Sequence, residues 1–354
     1  IVRPSYVLGG RATQIAYDLP QLQEVLTQAL QEFPGQQIWL DQYLVGKEVE
    51  VDAISDGEKV CIPGIMEHLE RAGIHSGDSI AVYPPQTIRE EKQAEIAKLS
   101  EAIARSLRIK GLLNIQYVIY QDQIYVLEVN PRSSRTVPFL SKATGVPIVD
   151  LATRVILGQS LTELGIPNGL WPAGDKVAVK APVFSFSKLL QVEPSLGPEM
   201  KSTGEVMGID YQYQKALYKA LLAAGLRMSV HGTLLATLAD RDKEEGLKLV
   251  ERFYKLGFRI MATKGTAQRI RQAGIEVTTV EKLHAGSEEI PEKIRQGQVQ
   301  CVLNTTTHGR KTASDGFAIR RAAVEQGIPC FTSLDTAEAW LKVLEVNLPG
   351  LIAF

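Results

Sequence analysis

From about Arg227 onward the chain alternates five short apolar runs with five amphipathic ones. The apolar runs lie near 234–238, 258–262, 275–280, 299–304 and 328–333, and the helical segments begin near Lys243, Thr266, Glu288, Asp315 and Thr336. Connections of this length hold one crossover helix and little else, so the pattern predicts an open parallel five-stranded sheet covered by helices on both faces. Ligands of such sheets sit beyond the carboxyl ends of the strands, where helix N-termini favour anions. Ala262-Thr263-Lys264-Gly265-Thr266 follows the second strand, and Asn304-Thr305-Thr306-Thr307 follows the fourth. Thr263, Lys264, Thr266, Asn304, Thr305 and Thr306 are therefore candidates to cradle one phosphate, with Lys243 and Lys282 as additions. Helix capping accounts for Thr336, but it explains repeated Thr and Lys at two neighbouring strand ends poorly.

The preceding residues, 1–226, follow a different pattern and are expected to form an α+β unit with antiparallel strands, followed by the parallel-sheet domain at 227–354. Glu48-Val49-Glu50-Val51-Asp52-Ala53-Ile54 alternates acid and apolar, and Asp56-Gly57 turns it into Val60-Cys61-Ile62, which is a hairpin signal. Ile96, Leu99, Ile103 and Leu107 keep helical spacing among charges. A helix is expected from Thr144-Gly145-Val146-Pro147 through Ile156, a loop over Pro167–Gly174, a strand over Val177–Phe186 and irregular chain over Pro194–Gly208. Ile1-Val2-Arg3-Pro4 lacks an initiator methionine and reads as the end of a buried strand, so the chain is expected to start inside a domain.

Two strand-like runs, Leu112–Tyr120 and Ile124–Val129, carry the densest chemistry. With the turn centred on Asp122, antiparallel register pairs Tyr120 with Ile124, Gln116 with Glu128 and Asn114 with Asn130. Gln116, Glu128 and Asn130 then share one face, while Leu113, Ile115, Tyr117, Leu127 and Val129 form the apolar one. One carboxylate beside amide oxygens suits Mg²⁺, which takes few protein ligands and completes its shell with phosphates and water. Arg132 and Arg135 follow at once, placed to hold phosphoryl oxygens. Upstream, Arg3-Pro4-Ser5-Tyr6-Val7-Leu8-Gly9-Gly10-Arg11 runs a strand into a glycine loop that could close over a triphosphate, although a plain turn fits it as well. Glu67–Ser79 holds two histidines among Gly, Ser and Asp, denser in polar groups than a structural loop requires.

A net charge of −1 gives no long-range attraction to nucleic acid or to an anionic membrane. No apolar run approaches the roughly 20 residues of a membrane span, and no signal peptide is expected. Cys61, Cys301 and Cys330 are scattered in apolar runs without metal-ligand spacing, as reduced core thiols of a cytoplasmic protein would be.

The runs RPSYVLGGR, GIMEHLERAGIHSGDS, LLNIQYVIY, LEVNPRSSRTVPFLSKATGVP and GPEMKSTGEVMG resemble, in the same order, the second ATP-grasp half of carbamoyl phosphate synthetase large chains. The resemblance covers essentially the whole chain and implies phosphorylation of carbamate by ATP, with Mg²⁺ or Mn²⁺. It implies that Gln116, Glu128 and Asn130 hold the metal on the ATP phosphates. Arg3, Gly9 and Gly10 would belong to the lid, and Gln42, Leu44, Glu48, Gly73, Ile74, His75 and Ser76 to the adenosine pocket, with Glu48 on the ribose. Arg132 and Arg135 would face the transferred phosphoryl group. A K⁺ ion near Glu48 and the His75 loop, the missing N-terminal part of the large chain and a glutaminase small subunit belong to the same implied assembly.

The second domain resembles the methylglyoxal-synthase-like fold, which serves that family as its allosteric domain. The synthase's catalytic aspartate is unmatched at Leu283-His284-Ala285-Gly286-Ser287-Glu288, so a sensor of a nucleotide monophosphate, UMP or IMP, is expected rather than a lyase. Lys180-Ala181 stands where ornithine-activated relatives carry Lys-Glu, which argues against ornithine as an effector. A regulatory, effector-binding piece without turnover of its own is the alternative reading, as is another ATP-grasp carboxylate-amine ligase.

Overall fold

The computed structural model describes residues 1–5, 9–186, 188, 192–226, 229–281, 288–306 and 315–346. These form two compact units, one of residues 1–43, 183–204 and 221–354, the other of residues 44–182 and 205–220.

The first unit opens with strand β1 (Val2–Pro4), helix α1 (Leu19–Glu32) and strand β2 (Ile38–Leu40), the two strands antiparallel. Asp18 starts the helix, its carboxylate accepting the Gln21 backbone N–H at 2.8 Å, with Pro20 in the first turn where no N–H is needed. Leu22, Val25, Leu26 and Ala29 recur at helical spacing and close over Val2 and Ile38.

The second unit is built on β3 (Lys47–Ser55), β4 (Val60–Arg71), β5 (Ala81–Tyr83), helix α2 (Glu90–Ser106), β6 (Gly111–Tyr120), β7 (Gln123–Asn130), helices α3 (Val137–Thr144) and α4 (Ile148–Ile156), β8 (Gly169–Leu170), β9 (Val177–Val183), β10 (Gly204–Asp210) and α5 (Tyr213–Ala223). The strand order is β10-β9-β5-β4-β3-β6-β7, with β8 beside β4. The hairpin expected at Asp56-Gly57 joins β3 to β4. The Asp56 carboxylate accepts the N–H groups of Glu58 and Lys59 at 2.9 and 2.7 Å, and Gly57 takes φ +97°. Ile96 of α2 packs with Val49, Val51, Ile65, Leu113, Ile115 and Tyr117 on one face of the sheet. On the other face α3 and α4 bury Val137, Leu140, Ile148 and Val155 against Ile54, Met66 and Ala81. Leu107, placed by its spacing on the apolar stripe of α2, instead terminates that helix and is exposed. The stretch read as irregular ends in a strand, β10.

The first unit resumes with β11 (Thr233–Thr237), α6 (Lys243–Lys255), β12 (Arg259–Thr263), α7 (Lys264–Gln272), β13 (Thr278–Val280), α8 (Glu289–Arg295), β14 (Cys301–Asn304), α9 (Asp315–Glu325), β15 (Cys330–Phe331) and α10 (Leu334–Glu345). Every pairing in this five-stranded sheet is parallel, in the order β13-β12-β11-β14-β15. The alternation along the sequence is thus the alternation of the fold. One cap differs: α10 begins at Ser333, whose hydroxyl accepts the Asp335 N–H at 3.2 Å, and Thr336 falls inside the first turn. The three cysteines are free thiols, and burial pushes those of Cys61 and Cys330 up to about 12. Among the described residues no helix is long and apolar enough to cross a membrane.

Candidate functional site

The hairpin β6–β7 places its polar residues as the register predicts near its open end and differently at its turn. Gln116 pairs with Glu128 and Asn114 with Asn130, but Tyr120 pairs with Gln123 and Ile119 with Ile124. The turn is the two-residue kind, Gln121 and Asp122 both at positive φ (50° and 63°), because that backbone twist matches the twist of paired strands. The offset is absorbed by an irregularity between Gln116 and Tyr117 of the β6 register, opposite Leu127. Leu127 is consequently 49% exposed instead of joining the apolar face. The Asn130 amide donates to Glu128 Oε1 at 2.8 Å, and the Gln116 amide donates to the Ser76 hydroxyl at 3.0 Å. A carboxylate, two amide groups and a hydroxyl thus lie side by side. Among the described residues no three or more His, Cys, Asp or Glu are grouped to hold an ion. The donor set here, one carboxylate with amide oxygens, instead fits a cation that brings phosphate oxygens of its own.

Beside it lies a buried acidic row that the sequence shows only as strand alternation. Glu48, Glu50 and Asp52 point to the same side of β3, the central strand of the hairpin array, and all three are buried. Asn114 donates to Glu50 at 2.8 Å and to Asp52 at 3.0 Å, and the Thr136 hydroxyl donates to Asp52 at 2.6 Å. His68, fully buried, lies between Glu50 (Nε2–Oε2 3.3 Å) and Glu48 (Nδ1–Oε1 3.6 Å). Lys180, also fully buried, donates to the Ser76 carbonyl at 2.9 Å. So many carboxylates cannot all be ionised in one buried place. Burial, then the charges of Glu50 and Glu128, raise the Glu48 carboxyl well above its ordinary range. Burial acts on Glu50 too, but the His68 hydrogen bond and charge, Lys180 and Asn114 outweigh it and hold that group down. Burial pushes the His68 imidazole towards its neutral form. Of the residues in this row, sequence reading singled out Glu48 alone for a role.

Asp52 makes the row pH-sensitive. Burial and then the Glu50 charge push it up to about 6, against hydrogen bonds from Thr136, Ser134 and Asn114. A carboxyl raised in the folded state stabilises the fold below its unfolded value of about 3.9, and that stabilisation is lost as pH rises through the folded value. Asp52→Asn should therefore gain on the parent by on the order of 2 kcal/mol between about pH 4 and about pH 7. Urea denaturation at both ends of that range measures it, and a difference independent of pH would contradict it.

The remaining candidates of the second unit lie just before β3 and on the stretches that follow β4 and β7. Gly73 takes φ +107°, and the half-buried His75 accepts the Gly77 N–H at 3.0 Å through Nδ1. Ile74 is half-buried beside them, and Leu44 stands just before β3. Arg135 is half-buried and its charge acts on Glu205, while Arg132 is exposed and donates to the Ser133 carbonyl at 2.8 Å. Arg3, Gly9, Gly10 and Gln42 belong to the first unit. Arg3 lies 3.4 Å from the Asp41 carboxylate, and Gly9 and Gly10 take φ +62° and +68°. Residues 6–8 of that loop lie outside the described residues. A cleft of about 490 Å³ between α2 and residues 170–173 contains none of the candidates.

In the first unit β12 and β14 are not neighbours, as read from the sequence, but flank β11, and the hydroxyls at these strand ends are oriented. Thr266 Oγ1 accepts the Leu238 N–H at 3.1 Å, and Thr305 Oγ1 accepts the Ala239 N–H at 2.8 Å. A hydroxyl that accepts from a backbone amide keeps its own proton to donate elsewhere. Thr263 occupies the N-cap position of α7, yet its side chain makes no capping bond. Lys264 is exposed in the first turn, and the Lys243 ammonium lies 3.3 Å from where a Cβ on Gly265 would stand. Arg241, which sequence reading missed, donates to the Thr306 carbonyl at 2.5 Å and lies 4.0 Å over the Tyr17 ring. Lys282 lies outside the described residues, as does the 283–287 stretch compared with the synthase motif.

Solved structures similar to this chain include a biotin carboxylase complex with β,γ-ATP from Campylobacter jejuni. It is 14% identical, with TM-score 0.47, over 62% of this chain and 56% of that one. The biotin carboxylase domain of a Hydrogenobacter thermophilus 2-oxoglutarate carboxylase, in complex with MgADP and bicarbonate, is 15% identical with TM-score 0.47 over 63% and 55%. An N5-carboxyaminoimidazole ribonucleotide synthetase from Thermotoga maritima is 16% identical with TM-score 0.41 over 56% of each chain. This chain spans about half the length of these solved chains. Residues 245–332 match the family described as the MGS-like domain, and residues 1–164 match the one described as the carbamoyl-phosphate synthase L chain, ATP binding domain. The fold is accordingly an α+β ATP-grasp portion followed by an open parallel five-stranded sheet of the methylglyoxal-synthase-like kind.

Proposed function

We propose that this chain is the carbamate-phosphorylating part of a carbamoyl phosphate synthetase large chain, controlled by a nucleotide monophosphate at its parallel sheet. The observation that carries the reading is the register of β6 and β7, which sets Gln116, Glu128 and Asn130 side by side next to the acidic row. The family match over residues 1–164 supports it. Glu128, with the amide oxygens of Gln116 and Asn130, would hold Mg²⁺, which when bound neutralises charge on the nucleotide phosphates. Burial raises the Glu48 carboxyl well above its ordinary range, and a protonated carboxyl can donate a hydrogen bond to a ribose hydroxyl as well as accept one. Arg132 and Arg135 follow the hairpin directly and supply donors to a phosphoryl group in transfer. No side-chain nucleophile is needed, because in-line phosphoryl transfer rests on positioning and charge neutralisation.

At the parallel sheet, Thr266 and Thr305 each have a hydroxyl proton to donate, Lys243 offers an ammonium and α7 offers its first amides. A pocket of donors suits a phosphate dianion, which supports UMP or IMP as the effector. In the cytoplasm the chain would act with the rest of a large chain and a glutaminase subunit. The second reading, an effector-binding piece without turnover, draws on the same donors.

The acceptor tests the proposal. Completed with the upstream part of the large chain, the protein should form ADP from ATP when bicarbonate and ammonia supply carbamate, and only background ADP with biotin, amino acids or simple carboxylates. Turnover with one of those acceptors in place of carbamate would overturn it.

A further inference from the structure

Asn304 ends β14 at the proposed phosphate pocket. An amide can present either its oxygen or its NH₂ to a ligand. Here Oδ1 accepts from Arg320 Nη1, and a guanidinium has only donors, so the amide cannot flip and its NH₂ is the group on offer beyond the end of β14. Arg320, on α9 and 4% exposed, is itself held at both forks by Glu193, with Nε–Oε1 at 2.6 Å and Nη2–Oε2 at 2.7 Å. Burial opposes ionisation of Glu193, but the Arg320 hydrogen bond and charge outweigh it and hold its carboxyl below the usual range.

Glu193 belongs to a segment fastened beside β15 at one further point and braced within itself. Leu196 N–H donates to the Thr332 hydroxyl at 3.2 Å, and Lys201 donates to the Glu193 carbonyl at 2.8 Å. The same segment carries the glycine loop. Met200 N–H donates to the Gly9 carbonyl at 3.2 Å, and a Cβ on Gly10 would stand 2.1 Å from the Pro198 oxygen, so only glycine allows that approach.

We propose that Glu193 and Arg320 are positioning residues for the phosphate pocket, and that through them ligand binding beside Asn304 and docking of the 193–201 segment, with the Gly9–Gly10 loop on it, form one equilibrium. The inference rests on the phosphate-pocket reading above and adds its route of regulation. A ligand that draws on Asn304 favours the docked segment, and by linkage the docked segment favours the ligand to the same degree.

The test uses the full chain, UMP, IMP and inorganic phosphate as probes, and amide hydrogen exchange of the peptides covering 193–201 and the glycine loop. In the parent protein, ligand should slow exchange in both peptides. Glu193→Gln removes the charge at constant size and should weaken UMP binding about tenfold and abolish the ligand-dependent slowing. Arg320→Lys, which keeps the charge without the fork, should do the same. A merely structural ion pair would lower the unfolding temperature yet leave the ligand-dependent slowing intact, and that result would overturn the proposal. Asn304→Asp keeps an acceptor for Arg320 while losing the NH₂, so it should fold with parental ligand-free exchange at 193–201 and lose UMP binding. Parental affinity in Asn304→Asp would overturn the proposal by itself. Binding of UMP to the parent without any change at 193–201 would overturn the coupling alone. No binding of any of the three probes would overturn the phosphate-pocket reading, and the coupling with it.

Discussion

Glu128→Gln is expected to lower carbamate-dependent ADP formation by roughly 10²–10³-fold while leaving the fold unchanged. Glu128 is the only charged group among the three candidate metal ligands, and a Gln in its place keeps the size and the bond from Asn130 while losing the charge that opposes a divalent cation. The residue is exposed on the edge strand β7, where a substitution typically changes stability by no more than about 0.5 kcal/mol. Lost turnover with an unchanged urea midpoint is therefore the signature. An undiminished rate would remove the β6–β7 hairpin from the site.

Lys180→Met should have the largest effect on stability, about 3–5 kcal/mol at neutral pH, because it leaves buried carboxylates without their cation. Lys180 is fully buried, and its charge lowers the pKa of Glu48, Glu50 and Glu205. The sign with pH follows from Glu50, whose carboxyl is held down to about 2. A depressed carboxyl stabilises the fold above its unfolded value of about 4.3 and ceases to do so as pH falls towards the folded value. Removing the cation weakens that contribution, so the deficit should be full above about pH 4.3 and shrink as pH falls from there towards about pH 2. Urea denaturation of parent and variant across that range measures it, and equal deficits at both ends would contradict it.

How far the sequence discloses this molecule depends on whether a local rule or a distant contact decides each feature. The parallel sheet is legible because every strand and helix between Thr233 and Glu345 carries its own period, and the connections leave one topology. Gln116 and Glu128 are legible as neighbours because one short turn sets their register. The same turn shows the limit. Gln121 and Asp122 adopt the tighter two-residue loop, and the offset at Leu127 restores the pairing where the site needs it. His68 and Lys180 lie far apart in sequence and meet through β5, where Ala81 pairs with both, so no local pattern announces their meeting. Glu193 and Arg320 are further apart still, joined by a buried ion pair within the first unit. Alternation along β3 shows that Glu48, Glu50 and Asp52 share a face, but only the chain that packs over this face, Thr136 at the start of α3 included, decides that it is buried.

The most direct measurement is ATP formation from MgADP and carbamoyl phosphate, by this chain joined to the N-terminal part of a carbamoyl phosphate synthetase large chain and by the same protein carrying Glu128→Gln. ATP from the parent, lost in the variant, is the predicted result. No ATP from the parent, or equal ATP from both, would contradict a carbamate-phosphorylating site on β6 and β7.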